Sequence, residues 1–313
     1  MARLAFVFPG QGSQKLGMGV QAYETYPVVY ETFREASEVL GFDLAKLCFE
    51  GPQEKLTLTE NAQPAILTLS VGLYRVLEEA GLKPDVVAGH SLGEYSALVA
   101  AGGIPFAEAV NVVRLRGRFM QEAVYPGKGA MAAIIGMPPQ QVGELCEEFA
   151  SDGVVEVANY NSPEQTVISG ERRPVEMVAK EAENRGAKKA VMLDVSAPFH
   201  SSLMAPAQEK LRMVLQGANF SDLTVPLVCN VNAEVVVRGE DERRFLLEQV
   251  TLPVLWTQSV RFIVDLGVEL FIEVGPGTVL SGLIRKVERR VKTVSVDGPK
   301  GLDKLMAMGV LDG

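Results

Sequence analysis

Residues 86–102 read VVAGHSLGEYSALVAAG, and the fold turns on how that stretch is parsed. An apolar run ends at Gly89, Ser91 stands between Gly89 and Gly93, and an apolar pattern with helical spacing follows. Gly89-His90-Ser91-Leu92-Gly93 is thus G-x-S-x-G between a strand and a helix. Two glycines let a chain turn sharply without a Cβ clash. Such a turn lifts the serine oxygen above the sheet and aims the N–H groups that open the helix at the same point. Negative charge developing on an attacked carbonyl would be stabilised there. The competing explanation is a plain turn with a capping serine. The flanking strand and helix favour a displayed nucleophile.

Outward from this turn the chain keeps alternating. Residues 3–8 (RLAFVF) read as a strand stopped by Pro9, residues 22–40 and 61–80 as helices, and DVVAG (85–89) as a buried strand. That order predicts parallel strands with helices on both faces. The middle differs. GAMAAIIGM (129–137) reads as a strand, PQQVGELCEEFA as a helix, GVVEVAN and QTVISG as strands, RRPVEMVAKEAENRG as a helix and KKAVMLDV as a strand. β-α-β-β-α-β is the split pattern of a ferredoxin-like unit. Past Ala197 the alternation resumes, with strands expected in VPLVCNV (225–231), VELFIEVG (268–275) and VKTVSVD (291–297). The expected fold is therefore α/β. A large unit over 1–126 and 197–313 has a parallel sheet core, and a small unit over 127–196 is inserted into it.

The bulk numbers limit the function. The chain has 313 residues, 47% hydrophobic and 22% charged, which is enough for a sizeable core. A net charge of −9 argues against general nucleic-acid binding, because phosphate contacts need a basic face. The three cysteines, Cys48, Cys146 and Cys229, form no CxxC, so neither a disulfide framework nor a zinc cage is expected. Buried small side chains in a reducing compartment are expected instead. The opening MARLAFVFPGQG is cut too soon by Pro9 and Gly10 for a secretion signal, and no stretch is long and apolar enough to span a membrane. A cytoplasmic protein without a metal is the expectation.

A serine nucleophile needs a base. The chain has two histidines, and His90, adjacent to Ser91 in a tight turn, should point away from it. His200, in DVSAPFHSSLM, is left as the candidate. No aspartate has a clear claim to orient it: Asp194 is near but sits in a strand pattern, and a backbone carbonyl is the alternative. FPGQGSQKLGMG (8–19) follows a strand, yet position 15 is Lys, so the dinucleotide pattern G-x-G-x-x-G fails, and Met18 breaks a P-loop. A turn supplying backbone amides, with Gln11 at its tip, fits better. In FAEAVNVVRLRGRFMQEA (106–123), Arg116 shares the apolar face with Val112, Val113, Phe119 and Met120, whereas Arg114 and Arg118 do not. A buried guanidinium calls for an anion, either a ligand carboxylate or an internal salt bridge.

Seven segments together resemble the malonyl-CoA:acyl carrier protein transacylases of fatty acid synthesis: FVFPGQGSQKLGMG, NAQPAIL, GHSLGEYSAL, RLRGRFMQEA, APFHSSLM, LLEQVTLPVLW and FIEVGPGTVLSGLI. In order and spacing they cover nearly the whole chain. The resemblance implies a hydrolase-like α/β domain with a ferredoxin-like insert. It implies Ser91 as nucleophile, His200 as base oriented by the Gln249 backbone carbonyl, and an oxyanion hole of the Gln11 and Leu92 N–H groups. It places Arg116 on the malonyl carboxylate, with Gln63 and Phe199 also at the substrate. In related acyltransferases Phe before the histidine goes with malonyl units and Tyr-Ala-Ser-His with methylmalonyl. Leu92 also fits malonyl.

The partners implied are malonyl-CoA and an acyl carrier protein, with a monomeric enzyme and no cofactor. An acidic carrier would need a local basic rim on this acidic chain, for which Lys188, Lys189, Arg285 and Lys286 are candidates; an ordinary solvated face is the alternative. Residue types alone leave three rivals open. They are a serine thioesterase or esterase, a polyketide-associated acyltransferase loading malonyl or methylmalonyl, and a non-catalytic CoA-thioester sensor.

Overall fold

The computed structural model describes residues 3–195 and 197–311. Ser196, where the sequence reading closes the small unit, and the outer limits 1 and 313 of the large unit lie outside the described residues. Ten strands are present among those described: β1 Arg3–Phe8, β2 Val86–Gly89, β3 Gly129–Ile135, β4 Val155–Ser162, β5 Gln165–Glu171, β6 Lys189–Met192, β7 Leu227–Val228, β8 Val235–Val236, β9 Val268–Val274 and β10 Lys292–Val296. They form a six-stranded sheet in the order β10-β9-β1-β2-β7-β8 and a four-stranded sheet in the order β4-β5-β3-β6. In the large sheet every pairing is parallel except the edge pair β7–β8. The small sheet is wholly antiparallel.

Period-two alternation sorts β1 onto two cores. Phe6 and Phe8 join one apolar cluster with the helices Pro27–Leu40, Thr59–Glu79 and Phe106–Glu122. Ala5 and Val7 join another with Trp256, Val260 and Ile263 of the helix Trp256–Asp265. Burial on both faces is why β1 and β2 read as continuous apolar runs. In the small sheet Ala130, Ala132 and Ile134 of β3 pack on the helices Pro139–Glu148 and Arg172–Asn184 through Val142, Leu145, Val175 and Val178. Met131 and Ala133, on the opposite face, join the large core.

The strand β4 is also tied to the large unit. Val254 N–H donates to Ala158 O at 2.9 Å, Tyr160 N–H donates to Val254 O at 2.9 Å, and Thr257 Oγ1 donates to Tyr160 O at 2.9 Å.

Two expectations need correction. The helix expected over 22–40 is two helices, Val20–Thr25 and Pro27–Leu40. Pro27 disfavours helical dihedrals at Tyr26, which adopts φ −115° and ψ 114°. The strand expected over 225–231 pairs only at Leu227–Val228, because the chain turns at Asn230, which serves the site described next.

Candidate active site

Ser91 sits where β2 ends and the helix Leu92–Ala100 begins, with φ 52° and ψ −105°. A non-glycine residue at positive φ is strained and persists only where its surroundings hold it. The flanking glycines avoid a Cβ clash, as the sequence reading expected, and they do so without positive φ. They permit close approach. A Cβ on Gly89 would lie 1.9 Å from the Gly93 carbonyl carbon, and one on Gly93 would lie 2.0 Å from the Phe8 carbonyl oxygen. The helix therefore starts hard against the ends of β1 and β2, and the strain falls on the serine.

His200 lies 4% exposed behind Ser91, also at positive φ (55°). Its Nε2 is 2.8 Å from Ser91 Oγ, and its Nδ1 is 2.8 Å from the Gln249 carbonyl oxygen. A carbonyl only accepts, so Nδ1 carries the proton and Nε2 keeps its lone pair for the serine hydroxyl. Burial, helped by the nearby Arg116 charge, pushes His200 down to about 3, so the ring is neutral around pH 7. Asp194 lines the cavity but does not take the orienting place. His90 points away as expected: its Nε2 meets Asn161 Oδ1 at 2.8 Å and its ring packs edge-on against Trp256.

Arg116 projects from the helix Phe106–Glu122 and is 2% exposed. The next residue, Gly117, lets this helix press on Thr59–Glu79: a Cβ there would be 2.6 Å from the Thr59 carbonyl oxygen. That contact brings Arg116 Nη1 to 2.9 Å from Gln63 Oε1. Nη2 donates to Gln249 Oε1 at 2.7 Å and to Ser91 Oγ at 3.2 Å, and the guanidinium lies over the Tyr95 ring. These acceptors are neutral oxygens, so the internal salt bridge considered from sequence is not what holds Arg116. Burial lowers its pKa from the usual arginine value. The arrangement presents a cation beside a serine oxygen, with no carboxylate among the described residues bonded to it.

A cavity of about 500 Å³ opens over this group, lined by Gln11, Gln63, Ser91, Arg116, Phe199 and His200, with Met131 from β3, Asn159 from β4 and Leu193 just after β6. Leu92 N–H opens the helix and has no intrahelical acceptor. Gln11 stands in the turn after β1, its side chain donating to Thr59 Oγ1 at 3.2 Å. The expected residues Ser91, His200, Arg116, Gln63, Gln249, Phe199, Gln11 and Leu92 thus converge. Lys188, Lys189, Arg285 and Lys286 are exposed and do not line this cavity. Lys188 and Lys189 sit at the start of β6, and Arg285 lines a separate cleft with Thr278 and Lys304.

Three buried polar residues around the site were missed in the sequence. Asn230 accepts from Ser91 N–H at 2.7 Å and donates to the Gly89 carbonyl at 2.6 Å, holding the turn from behind. Glu94 and Glu242 are fully buried acids, and with buried Cys229 they form a cluster. Glu94 was visible as the one charge in the apolar helix LGEYSALVA. Asn230 was a polar residue just past a parallel strand, a place where sites gather.

A family model described as the acyl transferase domain matches residues 5–299. The malonyl CoA-acyl carrier protein transacylase of Bacillus subtilis (strain 168) is 49% identical over 304 residues, covering 97% of this chain and 96% of that protein. Its namesake from Escherichia coli (strain K12) is 48% identical over 303 residues, covering 96% and 98%. An acyl carrier protein S-malonyltransferase from Vibrio cholerae superposes with a TM-score of 0.95 at 44% identity, covering 97% of this chain and all of that one. A malonyl-transacylase solved in complex with a type II PKS acyl-carrier protein superposes at 0.96, also at 44% identity, covering 98% of this chain and all of that one. The chain belongs to the acyl transferase domain family, and within it to the malonyl CoA-acyl carrier protein transacylases.

Proposed function

We propose that the protein transfers the malonyl group from malonyl-CoA to the pantetheine thiol of an acyl carrier protein through a malonyl ester on Ser91, in fatty acid synthesis. One observation carries the reading: Ser91 Oγ lies 2.8 Å from a neutral, oriented imidazole and 3.2 Å from a buried guanidinium. Arg116 pairs with the free carboxylate of malonyl-CoA, which sets the thioester carbonyl over Ser91. His200 Nε2 takes the hydroxyl proton as Oγ attacks, and the Gln11 and Leu92 N–H groups hold the oxyanion. The C–S bond breaks, His200 returns the proton to the CoA sulfur, and the ester remains. The pantetheine thiol then gives its proton to His200, its sulfur attacks the ester, and Ser91 Oγ leaves with that proton. Thioester replaces thioester, so the transfer is close to balanced and reversible. The steps as written call for neither metal nor redox cofactor.

In this reading residues 1–126 and 197–313 are a hydrolase-like catalytic unit, and 127–196, with its βαββαβ order, is a ferredoxin-like insert that closes the cavity from above. The enzyme acts as a cytoplasmic monomer, with Lys188, Lys189, Arg285 and Lys286 as the rim for an acidic carrier. Among the described residues no helix is long and apolar enough to cross a membrane.

The test is to incubate the protein with labelled malonyl-CoA, digest it and locate the label by mass spectrometry. Label on the peptide containing Ser91, absent in Ser91→Ala and discharged by carrier protein, is expected. Release of free malonate at the rate of turnover without acceptor would instead mark a hydrolase.

A further inference from the structure

The proposed steps leave two buried acids unused. Glu94 lies on the helix Leu92–Ala100 and Glu242 on the helix Gly239–Glu248, both fully buried. Their carboxyl oxygens and the Cys229 sulfur lie within 4.8 Å of one another. Written as two carboxylates, Glu94 Oε1 and both Glu242 oxygens would be buried without a donor. Two carboxyls this close in an apolar interior do not both ionise, so they share one proton. Burial pushes both acids up, Glu94 to about 7 and Glu242, with the charge of Glu94 added, well above the usual carboxylate range, so Glu242 is the one that holds a proton more firmly. Glu94 Oε2, by contrast, accepts from Asn230 N–H at 3.0 Å and Gln249 Nε2 at 2.9 Å.

A side-chain amide has a donor end and an acceptor end. Gln249 Nε2 donates to Glu94 and, at 3.1 Å, to the Ser91 carbonyl, which leaves Oε1 facing Arg116 Nη2. A flipped amide would set its NH₂ against the guanidinium and its oxygen against the carboxylate. The Ser91 carbonyl and the Glu94 oxygen that also takes the Asn230 N–H both accept from this amide, so together they select the observed orientation.

We propose that the Glu94–Glu242 pair is a positioning device: Glu94, packed against Glu242, helps fix the orientation of the Gln249 amide, whose oxygen holds Arg116 ready for the substrate's distal carboxylate. The inference rests on the malonyl-transfer reading above. An acetyl group has no distal carboxylate, so losing this orientation penalises malonyl and largely spares acetyl.

Steady-state transfer from malonyl-CoA and acetyl-CoA is to be measured with the full-length wild type, Glu94→Ala, Glu94→Gln and Gln249→Leu. A wild type that does not load malonyl on Ser91 sinks the functional reading itself. Given wild-type transfer, the malonyl-to-acetyl ratio of kcat/KM falls about tenfold in Glu94→Ala, chiefly through the malonyl-CoA KM. Glu94→Gln keeps an oxygen acceptor at that point and recovers the ratio. Equal losses for both acyl groups in Glu94→Ala, or no recovery with Gln, overturns the inference. Should Glu94→Ala not fold, Gln249→Leu tests the same link with both acids left in the chain: a fallen ratio supports it and an unchanged ratio overturns it.

Discussion

Arg116 and His200 are set against each other. The guanidinium next to the imidazole lowers the ring's proton affinity, second only to burial as a cause. Arg116→Ala should therefore have two effects. Malonyl transfer should fall about 10- to 100-fold, the worth of a charge-assisted hydrogen bond, while acetyl transfer falls far less. The acid limb of the pH–rate profile, measured with an acetyl donor, should move to higher pH as the His200 pKa rises. If both acyl groups respond alike and the limb stays in place, Arg116 is not the carboxylate clamp. At this scale the sequence was informative where residue types were scarce. With two histidines, one of them beside the serine, elimination reached His200; helical spacing placed Arg116 on the apolar face. Glu242 carried no such signal, and Asn230 only its place just past a parallel strand. Their roles arise from contacts between distant parts of the chain, 139 residues in the case of Ser91 and Asn230.

The elements matter through how closely they meet. The turn at 89–93 works because a helix start, one strand end and the neighbouring strand end occupy almost the same space. Gly93→Ala would put a methyl group 2.0 Å from the Phe8 carbonyl oxygen, and backbone cannot swing aside as a side chain can. Destabilisation of about 3 kcal/mol is expected, read by urea unfolding, with loss of Ser91 acylation. Wild-type stability and activity in this variant would show that the turn tolerates separation. The sequence predicted glycines that spare the turn a Cβ clash, and the structure agrees; the unusual dihedrals carried by the serine itself were not predicted. Sequence pattern reports which residues are small, but not whether smallness serves φ or contact. For the same reason β1, β2 and β9 were legible from their apolar runs, whereas the two-residue β8 carried too little pattern to find.

For the molecule as a whole, buried titratable groups set how stability follows pH. His200 has a folded pKa below its ordinary 6.5, so its contribution is complete above about pH 6.5 and is lost as pH falls toward 3. Glu94, Glu242 and Glu273 are raised above their ordinary 4.5, chiefly by burial, so their contribution has the opposite sign: present below about 4.5 and lost as pH rises through the raised values. Glu242→Gln removes one of these titrations while keeping a donor toward Glu94. Relative to wild type it should gain stability as pH rises from 5 to 8, by up to about 1.4 kcal/mol per pH unit, measured by urea unfolding across that range. A pH-independent difference would mean that Glu242 does not hold the proton. The ties between β4 and residues 254–257 act at this scale too. Main-chain bonds are short, directional and stiff, and here they run beside the chamber where two sheets share a wall. A seam of that kind ties the small sheet to residues 254–257 on that flank. Met131, Leu193 and Phe199, which line that chamber, then set the width an incoming acyl group meets.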